Sequence, residues 1–350
     1  LLDFPNYLSI HAGGILISEE PLFAYTALEP MPKGFPICQF DMYVAEEIGF
    51  AKFDILSQRG LGHIKESVDI IRTNRGVDVD VHRVQDFMQD EEVRKQLMRH
   101  ETMGCFYIES PAMRQLLKKL DCEDYLTLVA ASSIIRPGVA SSGMMKAYIE
   151  RYHAPDSYEP VHPLMGELMR ETYGVMVYQE DVIKVAHHFA GLSLAEADVL
   201  RRGMSGKFRS REEFLRVQEQ FVGNCTKKGY DQKLTMDVWR QIESFAGYAF
   251  SKGHSASYAV ESYQSLYLKA HYPLEYMTAT INNFGGYYRT EIYVHEARRF
   301  GAEIEAPSVN HGSYECVLSG NTLILGFNLV AGIEASLVLK IFEERDRAGE

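Results

Sequence analysis

Between about residues 85 and 285, apolar side chains recur almost continuously at helical spacing, and this long stretch is flanked by segments that do not share it. Gln179 to Ala190 places Val182, Val185, Ala186 and Phe189 on one helical face, with Gly191 as the stop. Ser193-Leu-Ala-Glu196 has capping-box spacing for a helix running to about Met204. Phe214, Val217, Phe221 and Cys225 form the next stripe, ended by Gly229, and Val238, Ile242 and Phe245 form another. Shorter helices are predicted over 91–99 and 113–120, and Asp121 to Ala131 resembles a capped helix start, with Asp121 at the cap. Ser255 reads as the cap of a further helix, which Tyr272-Pro273 ends after His271.

The flanks read as strands and turns. Ile15-Leu16-Ile17 follows the Gly13-Gly14 pair, Pro21, Pro30, Pro32 and Pro36 punctuate a loop, and a second strand runs from about Gly49 to Leu56. A helix covers Leu61 to Arg72, and Gly76 to His82 is a loop or short strand. After Gly285-Gly286, read as a hinge, come a helix from Tyr293 to Phe300, strand-like Val309 and Leu323-Ile324-Leu325, and a final helix from about Glu334. The pattern is α+β, and 350 residues make two or three domains the expectation. There is no internal repeat and no low-complexity tract.

Against 36 Lys and Arg stand 48 Asp and Glu, a formal charge of −12. That balance argues against a nucleic-acid coat or a basic membrane-surface protein, but it leaves room for a local basic groove. Cys38, Cys105, Cys122, Cys225 and Cys316 are scattered without a CxxC pair, which fits a reduced, cytoplasmic compartment and offers no clustered zinc ligands. The longest weakly polar stretch, Leu126 to Ile135, is about half a membrane span. No membrane association is expected. The first residues lack both a basic leader region and an initiator Met, and the last fall in or just after a helical pattern, so a piece of a longer chain is expected.

Three segments carry groups with chemical potential. In Ala51-Lys52-Phe53-Asp54-Ile55-Leu56, strand alternation puts Lys52 and Asp54 on one face and turns Phe53 and Ile55 toward a core. A cation and a carboxylate on one rigid strand could hold a triphosphate and its divalent metal; the alternative is an exposed ion pair worth at most about 1 kcal/mol. From Asp198-Val-Leu-Arg201-Arg202 onward, five cations fall between 201 and 211, Lys207 among them, with no intervening acid. Guanidinium forks match phosphate oxygens, although cations near a helix C-terminus are favourable for structural reasons alone. Phe245 to Tyr258 interleaves aromatic, small and basic residues, including Lys252 and His254, in the manner of nucleotide sites; a packed helix junction is the other reading. Asp78-Val-Asp80 reads as a turn pair, His187-His188 diverge on a helix and cannot grip one metal jointly, and Cys105 and Cys122 read as small core residues.

Taken in order, these segments resemble the alpha subunits of bacterial DNA polymerase III, the C-family DNA polymerases. The resemblance rests on His11-Ala-Gly-Gly-Ile-Leu-Ile17, Gln39-Phe-Asp41, Gly49 to Leu56, Arg136-Pro-Gly138, Tyr178-Gln-Glu-Asp181, Ala190-Gly-Leu-Ser193, Ala197 to Arg202, Phe245-Ala-Gly-Tyr248, Lys252-Gly-His-Ser-Ala256, Ser262-Tyr-Gln264 and Leu268 to Pro273. It covers essentially the whole chain. It implies the C-terminal part of a beta-nucleotidyltransferase-type palm over 1–80, mostly helical fingers over 81–285, and the start of a helix-hairpin-helix-containing duplex-binding region over 286–350. Gly326-Phe-Asn-Leu-Val-Ala-Gly332 resembles the entry to that hairpin, with Glu334 where a second glycine is usual.

The resemblance further implies deoxynucleotidyl transfer from a dNTP to a primer 3′-hydroxyl, with two Mg²⁺ ions. Asp54 matches a catalytic, metal-binding carboxylate, Lys52 a triphosphate-contacting lysine, and Arg201 and Arg202 paired arginines over the incoming triphosphate. Lys207, Lys252, His254 and Tyr258 are candidates for contacts to DNA or the nascent base pair. The implied partners are primer-template DNA, dNTPs, and a sliding clamp with other replisome subunits that bind through regions outside this segment. Two further aspartates of the family lie in an upstream P-D-x-D-x-D segment, and Asp78-Val-Asp80 falls on the wrong side of Asp54 to be it. Isolated, these residues are therefore expected to bind triphosphate or DNA weakly without extending a primer; a non-catalytic nucleic-acid-binding or scaffold module is the rival reading.

Overall fold

The computed structural model describes residues 10–11, 13–31, 34–135, 143–204, 211–244 and 251–348, and the chain divides into two compact units, Leu1–Leu61 and Gly62–Glu350. In the first unit, β1 (Gly14–Ile17) pairs antiparallel with a later strand, while β2 (Leu28–Pro30) and β3 (Pro36–Cys38) form a separate ribbon. The helix α1 (Met42–Ile48) is capped by Asp41, whose side chain accepts from Val44 N, and stopped by Gly49 at φ 92°. The partner of β1 is β4 (Ala51–Asp54), with Ile15 opposite Phe53 and Leu16 opposite Lys52. The glycine before β1 is needed for this approach, because a Cβ on Gly13 would lie 2.4 Å from the carbonyl oxygen of Ile55.

One expectation fails at this ribbon. Phe53 and Ile55 do not enter a core; they are 54% and 49% exposed, and Ile15 and Ile17 beside them are exposed as well. The ribbon has two strands, and among the described residues its apolar side chains stay largely exposed.

In the second unit several helices begin at side-chain caps that the sequence supplies. The series opens with α2 (Gln58–Arg75), which carries the chain out of the first unit, and the short α3 (Val84–Phe87). Asp90 starts α4 (Glu91–Met98), Ser110 starts α5 (Pro111–Lys119), and Asp124, not Asp121, starts α6 (Tyr125–Ile134). Asp121 instead occupies the preceding turn at φ 44°. Next come α7 (Met144–His153), α8 (Pro163–Leu168) and α9 (Gln179–Lys184). Beyond α9 the chain widens into a π-helical turn, Val185–Phe189, closed by Gly191 at φ 69°. Lys228 Nζ donates to the carbonyls of His188 and Phe189 that this turn leaves open, at 3.0 and 2.8 Å.

The next helices are α10 (Leu194–Met204), α11 (Arg211–Lys227), α12 (Gln232–Ser244), α13 (Lys252–His271), α14 (Pro273–Asn282) and α15 (Thr290–Arg299). Ser251, not Ser255, caps α13 and accepts from His254 N; Ser255 lies inside the helix, buried, with its hydroxyl 2.6 Å from that of Ser133. Three short strands form a mixed sheet ordered β5 (Glu303–Glu305), β7 (Thr322–Ile324), β6 (Val317–Ser319), with β5 and β7 parallel. Val309 is exposed in a turn rather than in a strand. Gly76 to His82 holds no strand: Asp78 pairs with Arg72, and Asp80 accepts from His82 N. The 326–332 segment makes a 3₁₀ turn at Phe327–Leu329 before α16 (Ala335–Ala348).

Two hydrophobic cores hold this unit together. The first gathers Ile71, Leu97, Leu116, Leu128, Leu266, Met277, Tyr293 and Leu323 from α2, α4, α5, α6, α13, α14, α15 and the sheet. The second gathers Val182, Phe189, Leu200, Val217, Phe221, Cys225, Trp239 and Ile242 from the π turn and from α9 to α12, as the stripes anticipate. Cys105 and Cys122 are buried in the first core, and burial pushes the Cys105 thiol up to about 12. Gly285-Gly286 is no loose hinge: Glu109 accepts from Tyr287 N, the Tyr293 hydroxyl accepts from Gly286 N, and a Cβ on Gly286 would fall 2.0 Å from Glu109 Oε1. Among the described residues no helix is long and apolar enough to cross a membrane.

A fully buried lysine ties the first core. Lys269 Nζ on α13 donates to the carbonyls of Glu101 and Met103, at 2.9 and 2.7 Å, and pairs with Glu296 on α15 at 2.8 Å. Replacing Lys269 by Ala strands a buried carboxylate and two carbonyls, so urea denaturation of the variant should show a loss of roughly 3–5 kcal/mol. The half-exposed Phe53 gives the opposite expectation. Phe53→Thr should shift the unfolding free energy by less than about 0.5 kcal/mol, against about 3–5 for truncating a buried Phe.

Candidate functional site

The first unit brings Lys52 and Asp54 together as their spacing on β4 anticipates. Lys52 Nζ donates to both Asp54 carboxylate oxygens at 2.6 Å, with the two side chains 20% and 42% exposed. His11 Nδ1 accepts from Gly13 N at 3.2 Å and lies 3.9 Å from Asp54 Oδ1, so it edges the same group. A half-exposed carboxylate is an oxygen ligand of the kind that hard divalent ions take. In the structure both of its oxygens are held by the ammonium, and a pair this exposed is worth at most about 1 kcal/mol. A cation that took Asp54 would therefore free Lys52 at little cost. Among the described residues no group of three or more His, Cys, Asp or Glu is placed to hold a metal.

The second unit builds a polar cluster around the start of α9. Asp181 fixes that start: its carboxylate accepts from Val177 N and Tyr178 N at 2.9 Å each. Burial pushes its pKa above the usual carboxylate range, and the two backbone donors oppose the shift. The reciprocal bonds between Ser193 and Glu196 start α10, the capping box the sequence shows. The backbone donor of Ser193 holds the Glu196 carboxyl below its ordinary pKa. One turn on, Asp198 Oδ1 accepts from Arg201 Nε at 2.7 Å, and Oδ2 lies 2.9 Å from Arg202 Nε. Arg201 Nη1 also donates to Gln179 Oε1 at 3.2 Å.

The neighbouring residue of α9 receives the start of α13. Glu180 Oε2 accepts from Lys252 N at 2.9 Å, while Lys252 Nζ pairs with both oxygens of Glu171 at 2.7 and 2.8 Å and sits 5.4 Å from the centre of the Tyr178 ring. One turn into α13, the His254 ring lies 4.2 Å from that of Tyr258, which meets Phe106 and Tyr107 edge-on at 5.1 and 4.8 Å. Arg201 and Arg202 thus stand together, and Gln179 and Glu180 connect them to Lys252. Lys207, Arg209 and the 245–250 segment lie outside the described residues.

Sequence reasoning missed the carboxylates of this cluster. Asp198 was within reach of it, since spacings of three and four along a helix bring an acid and a base together. Glu171 was not, because 81 residues separate it from Lys252. Nor did a local pattern announce Phe106 and Tyr107 beside Tyr258, or His11 beside Asp54.

Two family models match the chain in succession: the bacterial DNA polymerase III alpha NTPase domain over residues 1–57 and the bacterial DNA polymerase III alpha subunit finger domain over residues 60–229. Among curated relatives, the DNA polymerase III subunit alpha of Aquifex aeolicus is 31% identical over 343 residues, 98% of this chain and 29% of the relative. That of Thermus aquaticus is 33% identical over 350 residues, 98% of this chain and 28% of the relative. That of Staphylococcus aureus strain MRSA252 is 32% identical over 351 residues, covering all of this chain and 32% of the relative. The chain thus spans less than a third of the length of the relatives it matches.

Proposed function

The chain belongs to the bacterial DNA polymerase III alpha-subunit family, and from that premise we propose that it supplies part of the catalytic apparatus of a template-directed DNA polymerase. The proposed reaction of the whole protein is attack of a primer 3′-hydroxyl on the alpha phosphorus of a dNTP, with pyrophosphate leaving. Its substrates are primer-template DNA and dNTPs, and its setting is a cytoplasmic replisome with a sliding clamp. In this reading 1–80 contributes to the palm, 81–285 forms the fingers, and 286–350 begins a duplex-binding region.

The observation that carries the reading is the pairing of Lys52 with Asp54 on one face of β4. Asp54 serves as a metal ligand and Lys52 as a phosphate contact, roles that the separation of the pair makes available together. Bound Mg²⁺ supplies charge neutralisation at the phosphates and lowers the pKa of the attacking hydroxyl. Arg201 and Arg202 meet the triphosphate and stabilise charge as it grows on the phosphate oxygens, an electrostatic role. Lys252, His254 and Tyr258 face the nascent base pair or the DNA, and Lys207 is assigned to the same role.

Steady-state primer extension by the complete polymerase tests these assignments. Asp54→Ala should lower kcat by at least about a hundredfold, the loss of several kcal/mol of transition-state stabilisation, while DNA affinity holds. Arg201→Ala should raise KM for dNTP without altering the Kd for primer-template. A non-catalytic DNA-binding module predicts the reverse: uniformly weaker DNA binding, a shallower salt dependence and no effect on triphosphate.

The 350-residue chain by itself should bind triphosphate or DNA weakly and give no Mg²⁺-dependent extension. One carboxylate ligand is too few for two metal ions. Extension by this chain that disappears with Asp54→Ala would overturn that expectation.

A further inference from the structure

Arg201 and Arg202 are consecutive, so two guanidinium groups project from neighbouring positions of α10 and repel each other. Asp198 lies one turn earlier, at the three- and four-residue spacings where helical side chains meet. Its carboxylate is divided between them, Oδ1 to Arg201 Nε at 2.7 Å and Oδ2 toward Arg202 Nε at 2.9 Å. Arg201 is hydrogen-bonded to Asp198 at the stem side of its fork, and Arg202 Nε, which is buried and makes no hydrogen bond, stands against the same carboxylate as an ion pair. The terminal nitrogens of Arg201 reach Gln179 Oε1 at 3.2 Å. Those of Arg202 have no partner among the described residues.

The three side chains are about equally open, 29% for Arg201 and 37% for each of Arg202 and Asp198. A ligand can reach them without the helix opening. Two long, flexible side chains are thus fixed side by side before any ligand arrives, and the rotamer entropy of ordering them is already spent within the protein.

We propose that Asp198 is a positioning residue for the paired arginines: by bonding one guanidinium group and ion-pairing with the other, it orients both toward the phosphate oxygens of an incoming nucleoside triphosphate. This rests on the reading of Arg201 and Arg202 as triphosphate contacts. Asp198 does not itself touch the substrate, so its effect falls on triphosphate affinity and not on the turnover of bound substrate.

The test is single-nucleotide insertion by the complete polymerase, comparing Asp198→Asn, Asp198→Glu, Arg202→Ala and the Asp198→Asn/Arg202→Ala pair, with thermal melting of each. Asp198→Asn should raise KM for dNTP about tenfold, with kcat within about twofold and an unchanged melting temperature. Asp198→Glu, which keeps the charge on the same face, should recover most of the loss. In the Arg202→Ala background, Asp198→Asn should cost less than it does alone, because one of the two groups it positions is gone. An Asp198→Asn enzyme whose KM is unchanged or lower, beside an Arg202→Ala enzyme whose KM rises, overturns the proposal and leaves the arginine reading standing. Arg202→Ala with an unchanged KM overturns the arginine reading, and the role of Asp198 falls with it. If Asp198→Asn melts early, the Asp198→Glu result decides: a tenfold rise in KM in that stably folded, charge-retaining enzyme also overturns the proposal.

Discussion

An ammonium group with no access to water organises the larger unit. Lys269 Nζ bonds two carbonyls of the 101–103 turn and the carboxylate of Glu296, which joins α13 to a loop and to α15 within the first core. Burying such a charge is costly unless every donor is used, so the surrounding geometry has little freedom. The consequence extends along the helix. From Lys252 to His271, α13 spans about 30 Å at 1.5 Å per residue. Its far end carries Lys252, His254 and Tyr258, and fixing one end of a rigid helix fixes where the other presents its side chains.

Four of the described cations singled out for phosphate chemistry share one electrostatic feature: each already has a carboxylate. Lys52 is paired with Asp54, Arg201 and Arg202 with Asp198, and Lys252 with Glu171. In a chain of formal charge −12, this is how positive groups are concentrated without creating a surface that attracts any polyanion. In the proposed function, phosphate would replace or join a carboxylate around a cation already drawn into place, and water would not have to be stripped from a free ammonium or guanidinium. Exposed pairs cost little to exchange, about 1 kcal/mol or less each. Selectivity for a ligand follows from geometry more than from net attraction.

The helical part of the fold was legible because its signals are local. The helices expected over 91–99 and 113–120 form as α4 and α5, the Ser193–Glu196 box starts α10, and the stripe of Val217, Phe221 and Cys225 enters the second core, whereas α1 arises in a segment read as strands and turns. What escaped depends on partners far away in sequence. Ser255 looks like a cap, but four residues earlier Ser251 captures the His254 amide, and Ser255 is drawn inward to Ser133. Three-residue strands such as β5 and β6 are too short to show alternation. Phe53 follows the strand pattern faithfully and still ends up exposed, because alternation tells which residues share a face and not whether anything covers it. The candidate site divides in the same way. The Lys52–Asp54 and Asp198–arginine pairs are written in spacing, whereas the Glu171–Lys252 pair exists only in the fold.

The start of α9 is where the two cores of the larger unit are read against each other. Tyr178 packs into the first core and Val182 into the second, so the first turn of this helix belongs to both. Its consecutive residues Gln179 and Glu180 then reach in different directions, to Arg201 on a helix of the second core and to the Lys252 amide on a helix of the first. The buried carboxylate of Asp181 holds the turn in place with two backbone bonds. The spacing between the arginine pair and the Lys252–Tyr258 face is therefore set by three adjacent side chains. Gln179 and Glu180 thus make this turn the point where the packing of both cores meets the geometry of the candidate site.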